Sequence, residues 1–269
     1  MLEKIMETVE FLRSRGFTAP EAGIVLGTGL GGLATKIGNP LEIAYADIPN
    51  FPLSTVKGHA GKLIYGDFGG RKIIAMKGRF HYYEGYGPEQ VTFPIRVMKQ
   101  LGIRALFLSN AAGGTNPTFR IGDIMIITDH ISLLPNPLIG PNDDRIGPRF
   151  PDMSSAYDRD LIVKAESIAD KLGIPIKKGV YLSTSGPTFE TPSEYRYFRT
   201  IGSDAVGMST TPEVITARHM SIPCFAVSII TDMGVEGKIE YTTHESVQEA
   251  AEHSEQKMTK VIEELIASF

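Results

Sequence analysis

The chain has 269 residues, which fits one large α/β domain or two small ones. Its formal net charge is −4 with no basic block, so nucleic acid and anionic membrane are not expected partners. No apolar run approaches the ~20 residues of a membrane span, and the single cysteine, Cys224, rules out an internal disulfide.

In chain order, Leu2, Ile5, Met6, Val9 and Leu12 share one helical face, and Gly16 closes that helix. The mixed charges of this opening segment argue against a signal peptide, so a cytoplasmic protein is expected. Gly23 to Leu26 reads as a short buried strand running into Gly27-Thr28-Gly29-Leu30-Gly31-Gly32, and Glu42 to Ala46 as another strand. Leu63 to Phe68 and Lys72 to Met76 flank Gly69-Gly70, a two-residue hairpin turn. Pro88 opens a helix that ends at Leu101, before Gly102. Arg104 to Leu108 is a buried strand followed by the small-residue stretch Ser109 to Gly114, here read as a loop, and Asp123 to Thr128 is another strand.

From Leu133 to Pro151 five prolines and no periodicity mark a long loop. Asp158 to Leu172 is a helix closed by Gly173, and Lys178 to Thr184 a strand. Thr191-Pro192-Ser193-Glu194 is a capping box, and Thr211-Pro212-Glu213 opens a second short helix. Pro223 to Ile230 is the most hydrophobic strand and is expected to be central. A last helix starts near His244 and runs to about Ala267. Strands and helices alternate without repeat or linker, which predicts one α/β domain over 1–269, with a mixed sheet flanked by helices.

Several stretches carry chemistry. Gly27 to Gly32 matches G-x-G-x-x-G, but Gly38-Asn39-Pro40 interrupts too soon for the long helix a dinucleotide site needs. The loop can still wrap a phosphate, with Thr28 adding a hydroxyl, or can be a tight turn that simply requires glycine. Arg79 and His81 alternate in an extended segment, so both can face one anion; the alternative is a surface loop over packed aromatics. Glu190, just before a helix start, is expected to stay ionised and to accept from a ring N–H, with Phe189 stacked on the ring; it can equally serve the helix dipole. Ser209 reads as an anion ligand or a helix cap. Thr231 and Asp232 lie at the end of the apolar strand, where such sheets bind ligands. No metal-ligand spacing is present.

Taken together and in order, Gly27–Gly31, Gly58-His59-Ala60-Gly61, Gly78–Gly85, Asn110–Gly114, Gly186–Thr191 and Val206–Thr210 resemble the trimeric, low-molecular-mass purine nucleoside phosphorylases. The resemblance covers nearly the whole chain. It implies the nucleoside phosphorylase fold, with a partly barrel-like sheet, and a reaction in which phosphate displaces the purine to give free base and pentose 1-phosphate. Inorganic phosphate is then a co-substrate, and no cofactor or metal is implied.

The resemblance also implies residue roles. Thr28, His59, Arg79, His81, Ser209 and the backbone N–H of Ala111 hold phosphate. Tyr83, Met208 and His244 contact the nucleoside sugar, Phe189, Glu190 and Asp232 take the base, and Val206 and Thr231 also bind the nucleoside. His81, Glu190 and Asp232 are the catalytic candidates. Phe150 matches a phenylalanine that reaches into a neighbouring subunit's site, which makes a homotrimer the expected assembly. One departure stands out: the family usually has Asn where this chain has Asp232. An ionised Asp only accepts hydrogen bonds, which suits N7–H or a 6-amino group and repels O6. Glu190 suits N1–H, which adenine lacks. Weighing Glu190 more heavily gives an expected preference for inosine and guanosine, with a 6-amino specificity (adenosine or 5′-methylthioadenosine) as the alternative.

Overall fold

The computed structural model describes residues 1–28, 30–56 and 61–269. Among the described residues, nine strands form one mixed sheet in the order β2-β3-β4-β1-β5-β8-β7-β6-β9, and β9 also pairs with β5. The second pairing closes five strands, β5-β8-β7-β6-β9, into a ring, and the other four extend from β5 as an open wing. The fold is therefore α/β with a partial barrel, as expected from the resemblance.

The strands are β1 (Ala22–Leu26), β2 (Gly38–Ala44), β3 (Lys62–Phe68), β4 (Arg71–Lys77), β5 (Ala105–Gly114), β6 (Ile124–Ser132), β7 (Ile176–Ser183), β8 (Ala205–Gly207) and β9 (Cys224–Met233). The helices are α1 (Leu2–Ser14), α2 (Pro88–Leu101), α3 (Arg159–Leu172), α4 (Pro192–Thr200), α5 (Thr211–His219) and α6 (His244–Ala267). The β3–β4 hairpin turns at Gly69-Gly70, both at positive φ, as the two-glycine turn requires. The strand predicted from Glu42 starts earlier, at Gly38. Pro40 is tolerated there because β2 is an edge strand with an irregular register between Gly38 and Leu41.

Two corrections bear on the site. First, Asn110 to Gly114 are not a loop. They continue β5, because their backbone pairs with β9, and Gly113 and Gly114 pair with β8 as well. Second, β9 runs past Ile230 to Met233 and carries a register shift: Ala112 faces Ile230 but Gly113 faces Asp232. Thr231 is the extra residue. In a regular strand neighbouring side chains point to opposite faces; a bulge resets that alternation. Both Thr231 and Asp232 consequently line the same cavity.

β1, β4, β5 and β9 run parallel, so their C-terminal ends meet on one side. The core around them is apolar, including Ile24, Val25, Ile74, Phe107 and Phe225, each at most 1% exposed. Gly27 is needed at the end of β1 for a packing reason. A Cβ there would sit 2.7 Å from the Ser109 carbonyl oxygen and 3.3 Å from Arg79 Nη1. The following helical turn, Gly31–Lys36, is a six-residue 3₁₀ segment, far short of a dinucleotide-binding helix. Among the described residues no helix is long and apolar enough to cross a membrane.

Candidate active site

A cavity of about 540 Å³ opens where these strand ends converge. That volume is in the range of small-molecule sites. Separate stretches of the chain bring polar groups to it. Thr28 follows β1, Arg79 and His81 follow β4, Ser209 stands between β8 and α5, and Ala111 belongs to β5.

Arg79 is 1% exposed, yet it lines the cavity. Its guanidinium is held by Glu213 of α5 in a fork: Nε donates to Oε1 at 3.1 Å and Nη2 to Oε2 at 2.9 Å. Nη1 donates to the Ser109 carbonyl at 2.7 Å and to Ser209 Oγ at 3.3 Å. Glu213 is itself only 2% exposed, so charge meets charge inside the protein. The sequence displayed Glu213 as an ordinary first-turn acid of a Pro-started helix, and nothing in its spacing set it apart.

His81 is also buried. Its Nδ1 lies 3.0 Å from Glu84 Oε1, which also accepts from the His81 backbone N–H at 2.8 Å. Thr55 donates twice to the other Glu84 oxygen, from its N–H at 2.8 Å and its hydroxyl at 2.6 Å. Burial pushes the Glu84 carboxyl up, but the hydrogen bonds from His81 and Thr55 outweigh it and bring it down to about 2. An ionised carboxylate can only accept, so the ring proton sits on Nδ1 and Nε2 is the acceptor. Burial lowers the His81 pKa, against the pull of Glu84, and favours the neutral ring. Tyr83 stacks on that ring, centroids 4.6 Å apart and planes 14° from parallel.

Ser209 owes its position to an unusual turn. Thr210 has φ 68° and ψ −52°, and the Thr211 N–H donates to the Ser209 carbonyl at 2.8 Å. This is a three-residue γ-turn of the strained hand. Asn110 Nδ2 holds it by donating to Thr210 Oγ1 at 2.9 Å.

The same cavity is lined by Phe189, Glu190, Thr231 and Asp232, and by Val206 and Met208. Gly186, at φ 61°, leaves room there for Met208 and Tyr83, which a Cβ would crowd. His244 is the first residue of α6, after the Thr243 cap, and reaches the same cavity. Glu190 departs from the expectation that the helix start would keep it ionised. Burial dominates and, with Asp232 nearby, raises its carboxyl to about 7. Asp232 is raised by burial too, against hydrogen bonds from Thr231 and Tyr195.

The structure thus brings together Thr28, Arg79, His81, Tyr83, Ala111, Phe189, Glu190, Val206, Met208, Ser209, Thr231, Asp232 and His244. His59 lies outside the described residues. Phe150 does not line this cavity. It is 87% exposed on the proline-rich loop, with the Arg149 guanidinium 5.7 Å over its ring.

One cavity thus joins Arg79, His81 and Ser209 with Glu190 and Asp232. The chain belongs to the phosphorylase superfamily, whose sequence model matches residues 21–267. Its similarity is to the purine nucleoside phosphorylases of that superfamily: it is 50% identical to purine nucleoside phosphorylase 1 of Bacillus subtilis over 100% of both chains. Its fold matches the crystal structure of Schistosoma mansoni purine nucleoside phosphorylase in complex with adenosine, at a TM-score of 0.94 and 42% identity, over 99% of this chain and 97% of that one. A Schistosoma purine nucleoside phosphorylase in complex with hypoxanthine matches with the same TM-score and coverage at 41% identity.

Proposed function

We infer that this protein catalyses the phosphorolysis of purine nucleosides, with inosine and guanosine preferred, and so serves purine salvage. The observation that carries the reading is the continuity of one cavity from Arg79, His81 and Ser209 to Glu190 and Asp232. A phosphate oxygen attacks C1′ of the sugar, the C1′–N9 bond breaks, and its electron pair leaves with the base. The products are the free purine, once protonated, and pentose 1-phosphate. The relatives support both halves: they are phosphorylases by name, and Schistosoma structures hold adenosine and hypoxanthine.

The chain supplies donors and orientation rather than a nucleophile. Thr28, His59, Arg79, Ser209 and the Ala111 N–H hold phosphate. The charge of Arg79 is largely balanced by Glu213, so phosphate is bound by aimed hydrogen bonds more than by net positive charge. Neutral His81, with its proton on Nδ1, offers Nε2 to the P–OH of hydrogen phosphate. Tyr83, Val206, Met208 and His244 face the sugar. Ionised Glu190 accepts from N1–H of a 6-oxopurine, Asp232 meets N7, and Thr231 and Phe189 complete the base end. The exposed Phe150 supports a homotrimer in which this ring closes a neighbour's site.

The test is inosine or guanosine incubated with and without phosphate. Base release that needs phosphate and yields pentose 1-phosphate is expected; release independent of phosphate would make the protein a hydrolase and overturn the reading.

A further inference from the structure

At the base end, Tyr195 of α4 is buried and stands between the two acids. Its hydroxyl donates to Asp232 Oδ2 at 3.0 Å, and it lies close enough to the Glu190 carboxyl for each to shift the other's titration. Thr231 Oγ1 donates to the other Asp232 oxygen at 3.0 Å. Glu190 Oε1 is buried and has no hydrogen-bond partner among the described residues. The ring lies against Gly234, where any Cβ would collide with it. Asp232 packs just as closely on Gly113, where a Cβ would sit 2.7 Å from Oδ2.

We propose that Tyr195 ties Glu190 and Asp232 into a pair sharing one proton, and that the two placements of this proton let one site take both 6-oxo and 6-amino purine nucleosides. The proposal rests on reading the cavity as a purine nucleoside site.

A hydroxyl has one donor and two acceptor positions. With the proton on Asp232, Asp232 donates to the Tyr195 oxygen or to the ligand, and Tyr195 donates to ionised Glu190. That arrangement accepts N1–H at Glu190 and gives a donor to O6. Moving the proton the other way leaves Glu190 protonated and Asp232 ionised. Glu190 then donates to the bare N1 of a 6-aminopurine, and Asp232 accepts from its amino group. In the exchange Asp232 gives its proton to Tyr195 as Tyr195 gives its own to Glu190, so the total is unchanged. Burial favours a pair with one charge over a pair with two, in keeping with the upward shift of both carboxyls. Other titratable groups nearby are Glu194, on the first turn of α4, which adds negative potential at Glu190, and His244 and Glu245 of α6 on the cavity wall.

The experiment compares kcat/KM for adenosine and inosine, each with phosphate, in the wild type, Tyr195→Phe and Asp232→Asn. Wild-type adenosine turnover is expected within about 100-fold of inosine. The adenosine-to-inosine ratio should fall by about 10-fold or more in each variant, the scale of one hydrogen bond to a charged group. An unchanged ratio in folded Tyr195→Phe overturns the proposal, as does wild-type turnover of inosine with none of adenosine. Failure of both substrates sinks the phosphorolysis reading first. Because a buried Tyr195→Phe could fail to fold, a second measurement uses the wild type alone. Calorimetry of adenine and hypoxanthine binding, in two buffers of different ionisation heat, gives the protons taken up. A shared proton predicts the same number for both bases; a difference close to one proton overturns it.

Discussion

Arg79 and Glu213 form a forked ion pair that is almost entirely shut off from water, at 3.1 and 2.9 Å. The pair joins the segment after β4 to the first turn of α5, and it fixes the guanidinium plane against Ser109 and Ser209. Removing one partner of a buried pair strands the other charge, which costs about 3–5 kcal/mol. Glu213→Ala should therefore lose stability on that scale in urea denaturation. Glu213→Gln keeps the shape and should lose less, while raising the KM for phosphate more than the KM for nucleoside, because the guanidinium loses its orientation. Equal changes in the two KM values would show that the pair serves folding alone.

The Glu84–His81 contact leads to a different outcome. Glu84 holds the proton on His81 Nδ1, and Thr55 holds Glu84. Glu84→Gln can present an amide N–H to Nδ1 and so reverse the tautomer, placing the proton on Nε2. Loss of a partner that orients a metal-bound histidine typically costs about 10–100-fold in affinity or activity, and Glu84 has the same orienting role at His81. We expect kcat/KM for phosphate to fall in that range. Nitrogen NMR of His81 checks the cause: wild type should show the Nδ1–H form, and the variant the Nε2–H form.

Much of this was legible in the sequence. The helix limits of α2 and α3 followed from Pro88 with Gly102 and from Asp158 with Gly173, because caps are local chemistry. Arg79 and His81 stand out in the sequence because they alternate in an extended segment after a strand. Glu213, Glu84 and Tyr195 do not, since each becomes part of the site only through a partner distant in sequence or is hidden by an ordinary local role. Glu213 reads as a helix-dipole acid, Glu84 as a solvated loop acid and Tyr195 as an amphipathic helix residue. The β9 bulge was equally hidden. It arises from register against β5, and no residue type in Ile230-Thr231-Asp232 announces it. Burial explains the error at Glu190: the helix start would favour its charge, but desolvation, which local sequence does not report, outweighs it.

The γ-turn at Thr210 reverses a familiar ranking. Glycine is usually less stable than alanine within regular structure by about 0.5–1 kcal/mol. At φ 68° a side chain bears a steric cost of about 1–2 kcal/mol that glycine escapes. Both Thr210→Gly and Thr210→Ala lose the bond from Asn110, so that loss cancels between them. Thr210→Gly is expected to be the more stable by about 1 kcal/mol in thermal or urea unfolding. Alanine proving the better residue would mean that the turn is not maintained in solution.

The raised carboxyl of Glu190 makes a prediction about stability against pH. Its folded value is about 7 against an ordinary 4.5, chiefly from burial. A group with a raised folded pKa binds its proton more tightly in the native state. Its contribution is therefore fully present below about pH 4.5 and is lost as pH rises to about 7. At 1.36 kcal/mol per pKa unit the whole change is about 3 kcal/mol. Glu190→Gln, which keeps the neutral shape at every pH, should remove that slope. Urea unfolding of the ligand-free wild type and variant at pH 5 and pH 8 measures it. The variant should gain on the wild type by about 2–3 kcal/mol between the two pH values. A constant difference would mean that Glu190 titrates at its ordinary value and that the base end of the cavity is wet. In that case the Tyr195 hydroxyl would have no reason to hold a proton between two acids.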